Sequence, residues 1–450
     1  MADPESDRLG GRLGRYVRVG SSVGGLAARL AGQRYLGLGL DRDRHAADLA
    51  AALGGLKGPL MKAAQLLATI PDALPPEYAR ELTQLQADAP AMGWPFVKRR
   101  MTTELGPAWL ERFASFDKQA SFAASLGQVH RATLPDGRAI ACKLQYPDMA
   151  SALEADLNQL KVVFSVGQRL DPAIRTDEIH TEIAERLREE LDYRREARHA
   201  ALYRAILASE PAVHVPATVP ELSTDRLLTM EWLEGGRLLD WKERAQEERD
   251  ALAVAMFRAW YVPLYRYGAI HGDPHLGNYT VRPDGSVNLL DFGCVRIFPP
   301  RFVHGSIELY RALMTDDTAR AVAAYEDWGF RDLSRETITV LNRWAAFLYG
   351  PLMDDRVRRL TEGIAQGYGR DVAREVFAEL RKMGGVRPPR EFVFMDRAAI
   401  GLGSVFIHLR ASINWHRLFE ELIDGFDSDA LARQQGVALR EAGLAPSESG

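Results

Sequence analysis

His271-Gly272-Asp273-Pro274-His275-Leu276-Gly277-Asn278, followed by Asp291-Phe292-Gly293, is the stretch that decides how the chain reads. Pro274 removes a backbone donor, and Gly272 and Gly277 bracket it with permissive dihedrals, so a loop is predicted here. Tyr279 to Arg282 then reads as a short strand, Pro283-Asp284-Gly285 as a turn, and Val287 to Leu290 as a buried strand running into Asp291. Loop, hairpin and second loop gather Asp273, Asn278 and Asp291 at one end of a small sheet. His271 and His275 have the spacing of a helical metal pair, but Pro274 opposes a helix, and a structural role is expected for both.

These residue types suit transfer of a γ-phosphoryl group. That reaction needs little covalent help, but it needs divalent cations on the phosphate oxygens and an acceptor for the proton of the attacking hydroxyl. Magnesium takes hard oxygen ligands, which Asp291 and the amide oxygen of Asn278 provide, leaving Asp273 as the base. A lone Asp-Phe-Gly or His-Gly-Asp is common; the weight lies in both occurring in order around a hairpin. The pattern resembles the protein-kinase catalytic loop, with Gly272 where those enzymes usually carry arginine, as in atypical and small-molecule kinases.

The remaining composition excludes other classes. With 46% hydrophobic and 26% charged residues over 450 positions, the chain reads as globular, with room for two or three domains or one two-lobed domain. A formal charge of −4 gives no reason to expect nucleic acid as a partner. Cys142 and Cys294 cannot form a disulfide framework; a reducing compartment and small buried thiols are expected. No apolar run approaches the ~20 residues of a membrane-spanning helix. Ala398 to Leu409 is too short and contains His408. Asp3, Glu5 and Asp7 do not suit a secretory signal, so a cytoplasmic protein is expected.

Upstream, Leu126 to Thr133 and Arg138 to Gln145 read as strands joined by the turn Pro135-Asp136-Gly137. Lys143 alternates in phase with Ala141, placing its ammonium on the face where a nucleotide would lie. Thr176 to about Leu207 reads as one strong helix carrying Glu190, Asp192 and Glu196, the last two one turn apart. Arg186, Arg188, Arg194, Arg195 and Arg198 offer ordinary surface partners for the same acids. Val213 to Val219 and Arg226 to Trp232 are strand-like and lead to Leu233-Glu234-Gly235-Gly236. Glu231, Trp232 and Leu233 therefore fall where a kinase hinge contacts adenine. Glu247 to Tyr267 is a long helix, and His304 to about Phe426 reads as all helix, with breaks near Gly350, Gly384-Gly385 and Pro388-Pro389. Between Asp291-Phe292-Gly293 and Pro299-Pro300 there is no room for a long activation segment.

Near the N-terminus, Lys62-Ala63-Ala64-Gln65 lies in a helical pattern, followed by Leu74-Pro75-Pro76-Glu77 and Leu85-Gln86-Ala87-Asp88-Ala89-Pro90. Together with Phe122-Ala123-Ala124-Ser125-Leu126-Gly127-Gln128, Ala141-Cys142-Lys143 and Glu190-Leu191-Asp192, these resemble the UbiB/AarF family of atypical kinase-like proteins. Ala64 replaces a family glycine, and Phe122 replaces the first alanine of a triplet that stands where ordinary kinases carry glycines. The resemblance implies ATP and Mg2+ as cofactors. It implies that Ala123, Ala124, Ser125, Gly127, Gln128, Ala141 and Lys143 serve the nucleotide, and that Glu196 pairs with Lys143. Lys62 and Gln65, with Glu190 and Asp192, would form a regulatory motif that blocks protein substrates.

The resulting expectation is an α+β, two-lobed, protein-kinase-like fold with an N-terminal helical extension and a mostly helical C-lobe. Residues 1–45 form a leader, either amphipathic and basic or flexible; 46–105 the helical extension; 106–234 the N-lobe; 235–432 the helical C-lobe; and 433–450 a disordered tail. The function implied by the resemblance is an ATP- and Mg2+-dependent kinase or ATPase in ubiquinone or other isoprenoid-lipid metabolism. Peripheral membrane contact and a lipid or prenylated phenol ligand stay open, as does the oligomeric state. A small-molecule phosphotransferase and a nucleotide-sensing scaffold without turnover are the alternatives.

Overall fold

The computed structural model describes residues 91–147 except 124 and 125, then 149, 153, 154 and 157, then 176–360 except 332, then 362, 375, 376, 379 and 390–444. The chain divides into two compact units. One runs to Arg195 and takes in Thr218–Trp232; the other comprises Glu196–Ala217 and everything from Leu233 onward. The expectations for residues 1–90, including Lys62 and Gln65, and those for Ala124 and Ser125, lie outside the described residues.

The first unit is built on an antiparallel sheet. Helix α1 (Trp94–Leu105) precedes strands β1 (Ser115–Phe116), β2 (Phe122–Ala123), β3 (Gly127–Thr133), β4 (Ala139–Gln145) and β5 (Leu227–Glu231). The order is β1-β3-β4-β5, with β2 also pairing β3. Residues 136 and 137 turn the β3–β4 hairpin; Gly137 has φ +89°, open to glycine at no steric cost. In α1, Pro95 starts the helix, Gly106 follows its end, and Val97, Arg100 and Met101 are buried at one-turn spacing. Val97 and Met101 pack with Trp109 and Phe113 on Ile140, Cys142 and Leu144. The strict alternation of β4 therefore sends Cys142 into the core and Lys143 to the opposite face.

The expected single helix from Thr176 to Leu207 is two: α2 (Thr176–Glu190) and α3 (Tyr193–Ile206), the latter passing from one unit into the other. The cause is local. Asp192 is the N-cap of α3, its carboxylate accepting the Arg195 backbone N–H at 2.8 Å. Asp192 and Glu196 thus belong to the start of one helix rather than to the face of a longer one.

In the second unit, α4 (Gln246–Tyr267) is buried nearly all round, including Phe257, Trp260 and Leu264, and it ends at Gly268 in the left-handed conformation, φ +61°. It delivers the chain to β6 (Ala269–His271), followed by β7 (Tyr279–Val281), β8 (Val287–Leu289) and β9 (Val295–Ile297). β7 and β8 form the expected hairpin, extended by the parallel two-residue strand Val213–His214, while β9 returns antiparallel to β6. Helices α5 (Pro300–Thr315), α6 (Thr318–Asp327), α7 (Arg335–Tyr349), α8 (Arg390–Leu409), α9 (Trp415–Ile423) and α10 (Ser428–Glu441) complete the unit.

Two expectations fail here. The C-terminal region is not all helix, because Arg358–Arg359 pairs antiparallel with Ser412–Ile413. Residues 433–441 are not a disordered tail: they continue α10, which Asp427 caps and which buries Leu431, Gln435, Ala438 and Leu439. The spacing 431, 435, 438 is an amphipathic stripe that a compositional reading overlooks. Among the described residues no helix is long and apolar enough to cross a membrane.

Candidate active site

Asp273 follows β6, and Asn278 ends a short 3-10 turn, Leu276–Asn278, at the start of β7. The Asn278 amide Nδ2 donates to the Asp273 carboxylate at 3.0 Å and to its carbonyl at 3.1 Å. With its nitrogen so committed, the amide presents Oδ1, a hard oxygen, as its remaining donor atom. The Leu290 N–H donates to the Asn278 carbonyl at 2.9 Å, which brings Asp291 to the same end of the hairpin. The Asp291 carboxylate accepts the Gly293 N–H at 3.0 Å, an Asx-type turn that orients the side chain. The structure therefore joins Asp273, Asn278 and Asp291 through a continuous set of hydrogen bonds.

His271 ties the two loops together. It is 1% exposed; its Nε2 donates to the Asp291 carbonyl and its Nδ1 accepts the Asp273 N–H at 3.2 Å. These partners require the neutral Nε2–H tautomer. Its own carbonyl accepts the Trp260 indole N–H at 3.0 Å, and Phe292 packs between His271 and Tyr203. His199 holds the Phe292 carbonyl at 3.1 Å. His275 is exposed and caps the 3-10 turn by accepting the Gly277 N–H at 3.1 Å. Tyr279, buried and close to the Asp273 charge, has its phenol pKa pushed up by burial first and by that carboxylate second. Tyr203, Trp260 and His199 carry no sequence motif; the only signal was the aromatic enrichment of the helix that holds Trp260.

The donor set fits Mg2+. Among the described residues no cluster of three His, Cys, Asp or Glu can hold a metal by itself. Magnesium is usually held by one or two carboxylates together with phosphate oxygens and water, and Asn278 Oδ1 with Asp291 are of that kind.

In the first unit, cross-strand register puts Val129 opposite Lys143 and Lys143 opposite Leu228. Ala141 shares this face two residues away. The Lys143 ammonium lies 5.3 Å from the Tyr193 ring centroid. Gly127 sits where a Cβ would come within 2.5 Å of the Leu144 carbonyl and 3.0 Å of the Tyr193 hydroxyl, so close backbone packing alone requires glycine there. Gln128, expected among the nucleotide residues, turns its side chain to the other face. It is fully buried, its Oε1 accepts the Met92 N–H at 2.7 Å, and its Nε2 donates to Met92 O at 3.1 Å and to His130 at 2.8 Å. The period-two geometry of β3 makes this unavoidable once Val129 faces Lys143. Ala123, in register with Gln128, is on that other side as well. Glu231 is exposed and opposite Ile140, Trp232 donates its backbone N–H to Ala139 O at 3.0 Å, and Leu233 begins a segment of the second unit.

Glu196 is 3% exposed in the second unit; Glu190 is half-buried and Asp192 exposed in the first. Among the arginines nearby, Arg195 and Arg186 pair with Glu189, Arg188 with Glu154 and Arg194 with Asp225. Burial pushes the Cys142 thiol up to about 12, in line with an inert core residue.

The profile of the ABC1 atypical kinase-like domain matches residues 84–325. Over 274 residues the chain is 32% identical to the mitochondrial atypical kinase COQ8 of Saccharomyces cerevisiae, covering 60% of this chain and 54% of that protein. It is 32% identical over 271 residues to AarF domain-containing protein kinase 1 of Xenopus laevis, covering 59% and 52%. The chain thus spans about half the length of the curated relatives it matches. Among solved structures, Rv3197 of Mycobacterium tuberculosis in complex with erythromycin is similar, with a TM-score of 0.59 and 29% identity over 85% of this chain and 96% of that one. The matched segment holds β3, β4, Lys143, Asp273, Asn278 and Asp291, and with over half its length so matched the chain belongs to the ABC1 atypical kinase-like family, the UbiB/AarF group.

Proposed function

We propose that the chain is an ATP- and Mg2+-dependent atypical kinase or ATPase of the UbiB type, acting in ubiquinone or other isoprenoid-lipid metabolism. The observation that carries this reading is the hydrogen-bonded set of Asp273, Asn278 and Asp291, held in register by buried His271. Asp273 takes the proton of the attacking hydroxyl or positions a water, Asn278 and Asp291 hold the metal, and Lys143 binds phosphate. What a bound Mg2+ supplies is neutralisation of phosphate charge. Lys62, Gln65, Glu190 and Asp192 are assigned to restricting protein substrates.

The acceptor follows from the short connection after Asp291. Val295–Ile297 pairs at once with Ala269–His271, and α5 begins at Pro300, so little chain is left to display a peptide. A lipid-like hydroxyl or water suits this better than a protein side chain, with any membrane contact peripheral. A second reading, phosphorylation of a soluble hydroxylated molecule, draws support from the erythromycin complex of the Mycobacterium tuberculosis relative, since erythromycin carries several hydroxyls.

Phosphate release from ATP by the full chain, with and without anionic liposomes and prenylated phenols, tests the proposal. Turnover should fall by about 100-fold or more in Asp291→Asn while circular dichroism is unchanged. Equal turnover in both proteins would sink it. Turnover that requires one soluble hydroxylated compound would select the second reading, and tight nucleotide binding without turnover even with lipid would select a nucleotide-sensing scaffold.

A further inference from the structure

Phe122 is 59% exposed on a two-residue strand. A phenyl ring so placed gains little from burial and leaves much of its surface open to a partner. Register settles which face it occupies: Phe122 lies opposite Val129, Val129 opposite Lys143, and Lys143 opposite Leu228, so all four side chains share one side of the sheet. Arg131, Ala141 and Met230 form the next row on that side. Beyond them Trp232 folds back, and its ring stacks on Phe122 with centroids 6.2 Å apart and planes 25° from parallel. The Arg131 guanidinium carbon lies 5.0 Å from the Trp232 centroid and steadies the indole. The Trp232 indole nitrogen is buried and has no hydrogen-bond partner among the described residues.

We infer that Phe122 and Trp232 form an aromatic clamp for the planar base of the nucleotide, an inference that rests on the nucleotide-binding reading above. Two rings sandwich a flat heterocycle when their planes are roughly 7 Å apart, twice an ordinary carbon contact. The two rings part to admit the base, a motion available to an exposed ring on a two-residue strand. The base then lies over Ala141 and Val129, side chains small enough to leave the face flat, and in the same row system as the Lys143 ammonium. The indole N–H becomes a donor for a base nitrogen or ribose oxygen. The bulk at position 122 selects for a base-bearing ligand over a bare polyphosphate.

Binding of Mg-ATP and of Mg-tripolyphosphate to the full chain, measured by calorimetry, tests the clamp. Phe122→Ala and Phe122→Leu should each weaken ATP binding about tenfold and leave tripolyphosphate unchanged, while Phe122→Tyr keeps wild-type ATP affinity. Wild-type ATP affinity in Phe122→Ala or Phe122→Leu overturns the clamp alone, as does an equal loss for both ligands, which marks a disturbed loop. A wild-type protein that binds neither ligand overturns the nucleotide reading and the clamp with it.

Discussion

Gly272 stands where protein kinases carry arginine, and its surroundings explain why. A Cβ at this position would lie 3.0 Å from Cys294 Sγ and 3.2 Å from the Cys294 carbonyl, which also accepts the Gly272 N–H at 2.7 Å. The backbone of the catalytic loop is thus laid directly on the strand that follows Asp291. Gly272→Ala should destabilise the protein by about 1–3 kcal/mol, read as a lowered urea midpoint, because a packed core resists an added methyl group. Cys294→Ala in the same chain should restore part of that loss by removing Sγ, while the carbonyl contact remains. Full additivity of the two changes would show that they do not share this contact. The importance of the glycine was legible from its place in the motif, but its reason was not, since Cys294 is 22 residues away in sequence. Likewise a structural role for His271 was readable, whereas the two carbonyl and amide partners that give it that role were not.

Helix α8 shows how an element far along the chain holds the loop. Leu402, Val405, Phe406 and Leu409 bury one stripe of it, and Gly401 beside them lets Pro274 approach so closely that a Cβ would come within 2.3 Å of its ring. Two glycines two residues apart therefore make opposite predictions. Gly401→Ala gains about 1 kcal/mol of helix propensity but collides with a rigid ring next to Asp273, so stability and turnover should both fall. Gly403→Ala meets nothing within 4 Å and should raise the melting temperature by a few degrees. Thermal melts of the two variants decide the matter; a gain in both would remove the proposed lock on Pro274. Helix α10 acts on the other side of the same framework. Gln435 donates to the carbonyls of Tyr267 and Phe298, both at 2.8 Å, and clasps the end of α4 to the chain leaving β9. Neither contact has a sequence signature, because a glycine in a helix and a glutamine near a terminus have many ordinary explanations.

At the scale of the molecule, the pH response of the first unit depends on a buried histidine. Burial lowers the His130 pKa, against a weaker opposing effect of Asp117, whose carbonyl lies 2.8 Å from Nδ1. With Nδ1–H donating there, Nε2 must accept from the Gln128 amide, so protonation would set two donors face to face and break the clamp on Met92. The unfolded chain takes up this proton near pH 6.5 and the folded chain only at lower pH. The contribution of His130 to stability is therefore fully present above about pH 6.5 and is lost as the pH falls toward the folded value. Urea midpoints should drop between pH 7.5 and 5.5, and His130→Gln should flatten that part of the slope; an unchanged slope would rule His130 out as the source.

The sequence by itself determined most of the local structure around the candidate residues: the Asp273-to-Asn278 loop, the hairpin into Asp291, and the strand pair bearing Lys143. Those are short-range patterns, in which period-two burial, turn residues and motif spacing act within a few positions. Only the tertiary structure decided which side of the sheet each residue faces, which moved Gln128 from the nucleotide to the Met92 clamp. It also decided where Phe122 finds Trp232, that Gly401 of α8 meets Pro274, and that α10 ties the end of α4 to the chain leaving β9. These depend on contacts between residues as much as 168 positions apart, such as Gln435 with Tyr267. Side-chain packing selects them, and no periodicity in one segment encodes its partner in another.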